Sequence, residues 1–133
     1  MPVPDGSDDG PLRVLVVDAD DRVRESLSGL LAIGGQVSVV GGASEPGPAL
    51  ELVREAAPDI VIVDPRLPEI DGGLAFIERV RSAAPDVRIL AMSWSESLEG
   101  VAIAGGADAF MRKTFRSADL VAAVLAAAPR PAA

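Results

Sequence analysis

The sequence has no cysteine and no histidine, and aromatic side chains make up only 3% of it. Without cysteine, neither disulfides nor thiolate metal sites can form. Without histidine, a Ser-His catalytic pair, His-ligated zinc and phosphotransfer through a histidine of this chain are all excluded. So few aromatics leave the core to Val, Leu, Ile and Ala, in a chain that is 49% hydrophobic and therefore globular. Positive charge is short as well: 12 Lys and Arg stand against 20 Asp and Glu, a net charge of −8 with a pI near 4.4. Such a surface argues against direct binding to nucleic acid or anionic membrane. No apolar run approaches membrane-spanning length, and the amino terminus lacks a basic, apolar signal peptide, so a cytoplasmic location is expected. At 133 residues, the chain is the size of one domain with a real core.

Residues 1–11, rich in Pro, Gly and Asp, are expected to be a disordered leader, 12–127 the domain, and 128–133 a frayed tail. Within the domain, apolar runs alternate with helical spacing. Leu12 to Val17, Val37 to Val40, Ile60 to Val63, Val87 to Met92 and Ala109 to Arg112 read as strands. Val23, Leu27, Leu30 and Leu31 mark a first helix stopped by Gly34-Gly35, and Leu50, Val53 and Ala57 a second opened by Ser44 and Pro46. Leu74, Ile77 and Val80 mark a third, Leu98, Val101 and Ala102 a short fourth, and Leu120, Val121, Val124 and Leu125 a last one capped by Ser117. Ala-Ala-Pro-Asp occurs at both 56–59 and 83–86, a helix stop followed at once by a strand. Strict alternation predicts an α/β fold: a doubly wound five-stranded parallel sheet with five helices.

In such sheets, ligands bind outside the carboxyl ends of the strands. Those ends carry Asp18, Asp64, Ser93 and Lys113. Each has an ordinary surface explanation, but the convergence of two carboxylates, a hydroxyl and an ammonium on one edge points to a site.

The segments VLVVD at 14–18, DIVIVDPRLPEIDGG at 59–73, ILAMS at 89–93 and GADAFMRK at 106–113 resemble the response-regulator receiver domains of two-component systems. QVSVVGGAS at 36–44 looks most like LuxR-type receivers. The resemblance implies a flavodoxin-like sheet of order 2-1-3-4-5. It makes Asp64 the phosphoacceptor, with Ser93 and Lys113 contacting the phosphoryl group. Ser93 and Phe110 become the switch pair, and Asp18, Asp64 and the Arg66 carbonyl the ligands of Mg2+. It also implies a histidine kinase as donor and an output protein as partner, with homodimerisation left open. For Phe110, ordinary core packing is an equal reading.

Three departures from the family matter. Its second acid after the first strand is replaced by Ala19, so Mg2+ should be held weakly; Asp20, one residue on, is read as a helix cap before it is read as a ligand. Trp94 follows Ser93 where the family has a small residue; it would contact the phosphoryl group as a lid or, alternatively, belong to the core. Ser93 and Lys113 are 20 residues apart, slightly fewer than in the family, which shortens the fourth helix. The chain is read as a stand-alone receiver with no output domain, signalling by protein contact and not an enzyme. The alternatives are a degenerate receiver acting as a scaffold without phosphorylation and the receiver fragment of a LuxR-type transcription factor. A dehalogenase-like phosphatase, suggested by Asp18-Ala19-Asp20, ranks last because it leaves Asp64 without a role. GxGxxG and GxxxxGK motifs after the first strand are absent, which argues against nucleotide enzymes.

Overall fold

The computed structural model describes residues 10–128. The expected leader and tail therefore lie almost wholly outside the described residues. Along the chain come β1 (Leu12–Val17), α1 (Asp21–Ala32), β2 (Val37–Ala43), α2 (Pro46–Ala56), β3 (Ile60–Val63) and α3 (Ile70–Ala83). Then follow β4 (Arg88–Ser93), a 3-10 turn (Glu96–Leu98), α4 (Glu99–Ala104), β5 (Ala109–Arg112) and α5 (Ser117–Ala127). All strand pairs are parallel, in the order β2-β1-β3-β4-β5. No helix among the described residues is long and apolar enough to cross a membrane.

The sheet is continuous apolar sequence because both of its faces are covered. Successive residues of a strand point to opposite faces, and here they sort into two cores. Leu15, Val17, Val61, Val63, Ile89 and Ala91 pack with Ala49, Val53, Phe76, Ile77, Val80 and Ala102, from α2, α3 and α4. Val14, Val16, Ile60, Ile62, Leu90 and Met92 pack with Leu27, Leu31, Leu120, Val121 and Val124, from α1 and α5. Every residue of β3 is buried, which makes it the central strand. β1 has β2 on one side and β3 on the other, so the chain reverses its direction of winding there and leaves a crevice at the carboxyl ends of β1 and β3.

Several local expectations are corrected. β2 runs three residues beyond Val40, to Ala43, its register with β1 shifting between Val14 and Leu15. The buried stripe of α3 is Gly73, Phe76, Ile77 and Val80, the i, i+3, i+4, i+7 pattern of a helix face, and Leu74 lies at its margin. On α5 the same rule buries Ala127 and leaves Leu125 exposed. Ala57 is not on an inner face; it ends α2 in the left-handed conformation, φ 46°. Ser117 caps nothing: its hydroxyl donates to the Leu30 carbonyl at 2.9 Å and ties the start of α5 to α1. Val101 on α4 faces outward. Arg81 is a brace, donating to the Pro85, Val87 and Gly106 carbonyls and pairing with Asp108 at 2.6 Å.

The turn from β3 into α3 leaves no room for side chains at two positions. A Cβ at Gly72 would stand 2.6 Å from the Leu67 carbonyl oxygen, and one at Gly73 would overlap the carbonyl oxygen of Pro65. Gly73→Ala should therefore force the first turn of α3 away from the β3 loop, at a cost of about 3 kcal/mol or more. Urea unfolding checks this; an unchanged midpoint would contradict it.

Candidate functional site

The strands all end at one edge of the sheet, β4 and β5 running two residues past the ends of β1 and β3. Val17, Val63 and Ala91 are aligned across β1, β3 and β4, and Ser93 is aligned with Arg112. Backbone hydrogen bonds carry this order one residue further: Asp18 N–H donates to the Ala43 carbonyl at 3.1 Å and Asp64 N–H to the Val17 carbonyl at 3.2 Å. Lys113 N–H donates to the Ser93 carbonyl at 2.9 Å. Asp18, Asp64, Ser93 and Lys113 are also the only buried residues with polar or charged side chains among the described residues. A fold that buries four such groups and gathers them all at one edge has concentrated its electrostatic cost there.

The Lys113 ammonium lies 2.6 Å from Asp18 Oδ2 and 2.7 Å from Asp64 Oδ2. The other oxygen of each acid is held by backbone: Asp20 N–H donates to Asp18 Oδ1 at 2.9 Å, and Arg66 N–H donates to Asp64 Oδ1 at 2.8 Å. Both carboxylates are thus satisfied on both oxygens, the condition under which buried ion pairs are tolerated. Burial by itself would lower the Lys113 pKa, but the hydrogen bonds and charges of Asp18 and Asp64 together outweigh it and raise it above the ordinary value. Two acids and one ammonium leave the cluster with an excess negative charge.

The loop between β1 and α1 does not supply a third acid. Asp20 caps α1, its Oδ1 accepting from the Arg22 and Val23 N–H groups at 2.9 and 3.2 Å. Asp21 pairs with Arg24 at 2.6 Å on the surface. No cluster of three or more His, Cys, Asp or Glu side chains able to hold a metal occurs among the described residues. The donor chemistry still fits a hard divalent ion: two carboxylates in excess of one ammonium, with a further backbone oxygen offered by Arg66, two residues after Asp64 in the chain. Asp18, Asp64 and Arg66 would hold Mg2+ with fewer charges than three acids provide.

The remaining candidates surround this cluster. Ser93 is buried and its Oγ accepts a hydrogen bond from Ser95 N–H at 3.1 Å. Trp94 is not a core residue: it is 51% exposed, with the Lys113 ammonium 5.4 Å from its ring centroid. Its ring also meets Phe115 at 5.5 Å, tilted by 56°. Phe110 is partly buried against the core shared by α2, α3 and α4. Phe115 and Arg24 were not singled out from sequence. The i, i+3 spacing of Asp21 and Arg24 was a signal for the ion pair, whereas nothing in spacing alone marks Phe115.

Lys113 is the only lysine in the chain, which also lacks tyrosine and cysteine. No other side chain therefore titrates near pH 10. Because its pKa is raised on folding, Lys113 contributes stability that is complete below the unfolded lysine value, about 10.4, and is lost as pH rises through the folded value. Unfolding free energy should fall along that alkaline limb. Lys113→Met should abolish the limb and cost about 3–5 kcal/mol at neutral pH, by leaving two buried carboxylates without a counter-ion. Urea unfolding across the pH range tests both, and an alkaline limb unchanged in the variant would refute the assignment.

A family model described as the response regulator receiver domain matches residues 14–125. The response regulator MprA of Mycolicibacterium vanbaalenii is 37% identical over 114 residues, covering 84% of this chain and 48% of that protein. The chain spans about half the length, or less, of the curated relatives it matches. Among solved structures, the signal receiver domain of NarL from Mycobacterium tuberculosis superposes with a TM-score of 0.79 at 32% identity, covering 88% of this chain and 95% of that one. A LuxR-family two-component response regulator from Aurantimonas sp. gives 0.78 at 31% identity, covering 87% and 84%. Receivers of this family are generally phosphoacceptors rather than enzymes, typically use Mg2+ at the acidic edge, and interact with histidine kinases and with output or other proteins. With its 2-1-3-4-5 sheet and its acid-and-lysine edge, this chain belongs to the response regulator receiver family of two-component systems.

Proposed function

We propose that this receiver accepts a phosphoryl group on Asp64 from a histidine kinase in the cytoplasm and signals through contacts with an output protein. The observation that carries the reading is the Lys113 ammonium 2.7 Å from Asp64 Oδ2 and 2.6 Å from Asp18 Oδ2, at the carboxyl edge of the central strands. A carboxylate oxygen of Asp64 attacks phosphorus in line, an acyl phosphate forms, and the P–N bond to the donor imidazole breaks. The imidazole leaves and takes up a proton. Lys113 loses one carboxylate partner as Asp64 is phosphorylated and turns its charge to the phosphoryl oxygens. Bound Mg2+, held by Asp18, Asp64 and the Arg66 carbonyl, would supply further positive charge at those oxygens. Ser93 reports the modification by releasing Ser95 N–H and donating to a phosphoryl oxygen, with Phe110 as the aromatic that follows it.

Asp64→Asn should abolish labelling by acetyl phosphate or a cognate kinase. Labelling at full strength in the variant would overturn the assignment. A second reading, a scaffold that works without phosphorylation, is favoured by one observation: Ala19 removes an acid, and Asp20 and Asp21 are engaged elsewhere. Wild-type protein that is not labelled under any donor would decide for it.

Trp94 acts in this reading as a partial lid that contacts the phosphoryl group and slows access of donor and water. Its half-exposed ring beside Lys113 and Phe115 supports that role. Trp94→Ala should speed both phosphorylation and hydrolysis while costing only about 1 kcal/mol, the scale of an exposed cation–π contact. Unchanged rates in both directions would contradict the lid.

A further inference from the structure

The backbone and side chain of Asp18 are engaged at every polar atom. Its N–H donates to Ala43, its Oδ1 accepts from Asp20 N–H and its Oδ2 meets Lys113. Its carbonyl oxygen accepts from Arg24 Nη1 at 2.8 Å. Arg24 projects from the first turn of α1, and its other terminal nitrogen holds Asp21 at 2.6 Å. Its stem crosses the end of β2 at Gly42, where a Cβ would come within 3.2 Å of Arg24 Cδ. Gly42 has no positive φ, so space for this side chain, rather than backbone conformation, is what glycine provides there. One side chain therefore joins the end of β1 and the first residue of α1 through its fork and the end of β2 through its stem, with 22% of it exposed.

We infer that Arg24 is a positioning residue for the acidic edge: it fixes the Asp18–Ala19 peptide and so aims the Asp18 carboxylate at the place where a divalent cation and the phosphoryl group meet. The role rests on the Asp64 reading above. It matters here because position 19 offers no carboxylate for a cation to draw into the site, so order in this loop has to come from the protein itself. A guanidinium suits the task, since its fork serves a carbonyl and a carboxylate at once, which an ammonium on a single stem cannot do at the same spacing.

Two variants break the brace differently. Arg24→Met removes the fork. Gly42→Val keeps the guanidinium charge but places methyl groups where the stem runs. Mg2+ affinity is read by calorimetric titration, and acetyl phosphate labelling is followed against Mg2+ concentration, with thermal unfolding to confirm that each variant is folded. Both variants should need about tenfold more Mg2+ or worse, the scale seen when a group that orients a metal ligand is lost. Arg24→Lys should fall between them and the wild type, and the maximal labelling rate should change less than the Mg2+ requirement. A Mg2+ requirement that is unchanged or lower in Arg24→Met overturns the proposal, the lower value marking simple charge repulsion. Loss of affinity in Arg24→Met with none in folded Gly42→Val also overturns it, because the effect would then belong to charge and not to position. Wild type that binds Mg2+ but is never labelled would remove the Asp64 reading while the titrations still decide the role of Arg24, and wild type that binds no Mg2+ overturns both the cation site and the brace.

Discussion

The structure turns on one ammonium shared by two carboxylates. Lys113 stands between Asp18 and Asp64, and the three groups come from strands that are not adjacent in sequence. Burying these charges is tolerated only because every carboxylate oxygen has a donor. That requirement reaches outward. It needs β1, β3 and β5 to end at one edge of the sheet, where β5 runs two residues past the level of Val17 and Val63, and it needs the loops after β1 and β3 to turn back so that Asp20 and Arg66 present their N–H groups. It also needs rigid walls, which two cores of branched aliphatic side chains provide on either face of the sheet. The missing aromatic residues cost the fold little, since a covered parallel sheet is built from Val, Ile and Leu in any case.

The site is lopsided around that pair. On the β3 side the chain is held tightly, with Gly72 and Gly73 allowing α3 to start against the Pro65–Leu67 turn. On the β1 side the acid that receivers use beside the first is absent, and the two acids that follow serve the start of α1 instead. Across the top, Trp94 and Phe115 link the loops after β4 and β5 and leave aromatic surface at the mouth. A half-exposed tryptophan with its ring centroid 5.4 Å from the ammonium of the only lysine makes the surroundings of that charge visible to fluorescence.

Much of this was legible in the sequence. β1 and β3 are legible with the bounds they have, because continuous apolar runs rich in Val and Ile and flanked by turn residues admit few other structures; β5, Ala-Phe-Met-Arg, has its expected bounds without any β-branched residue. Asp18, Asp64, Ser93 and Lys113 followed from where those runs stop. What was missed depended on rotation and reach. Phe76 lies one position outside the i, i+3 series drawn through Leu74, yet the face buried by the sheet runs through Gly73 and Phe76. Leu125 and Val101 are apolar but turned outward, which composition does not reveal. Ser117 had the chemistry of a cap, and tertiary contact with Leu30 took its hydroxyl instead. Arg24 and Phe115 act through contacts with residues from other elements, Gly42 and Trp94, and such contacts exist only once the chain is folded.

Lys113 is a buried cation held by Asp18 and Asp64. Because the chain has one lysine, isotope labelling of that residue gives a single side-chain signal free of overlap. Its titration by heteronuclear NMR is the most direct measurement. A lysine held by both carboxylates has a pKa above the ordinary lysine value in the wild type, falling when either Asp18 or Asp64 is changed to Asn. A lysine that titrates at or below its ordinary value, indifferent to both substitutions, would contradict it.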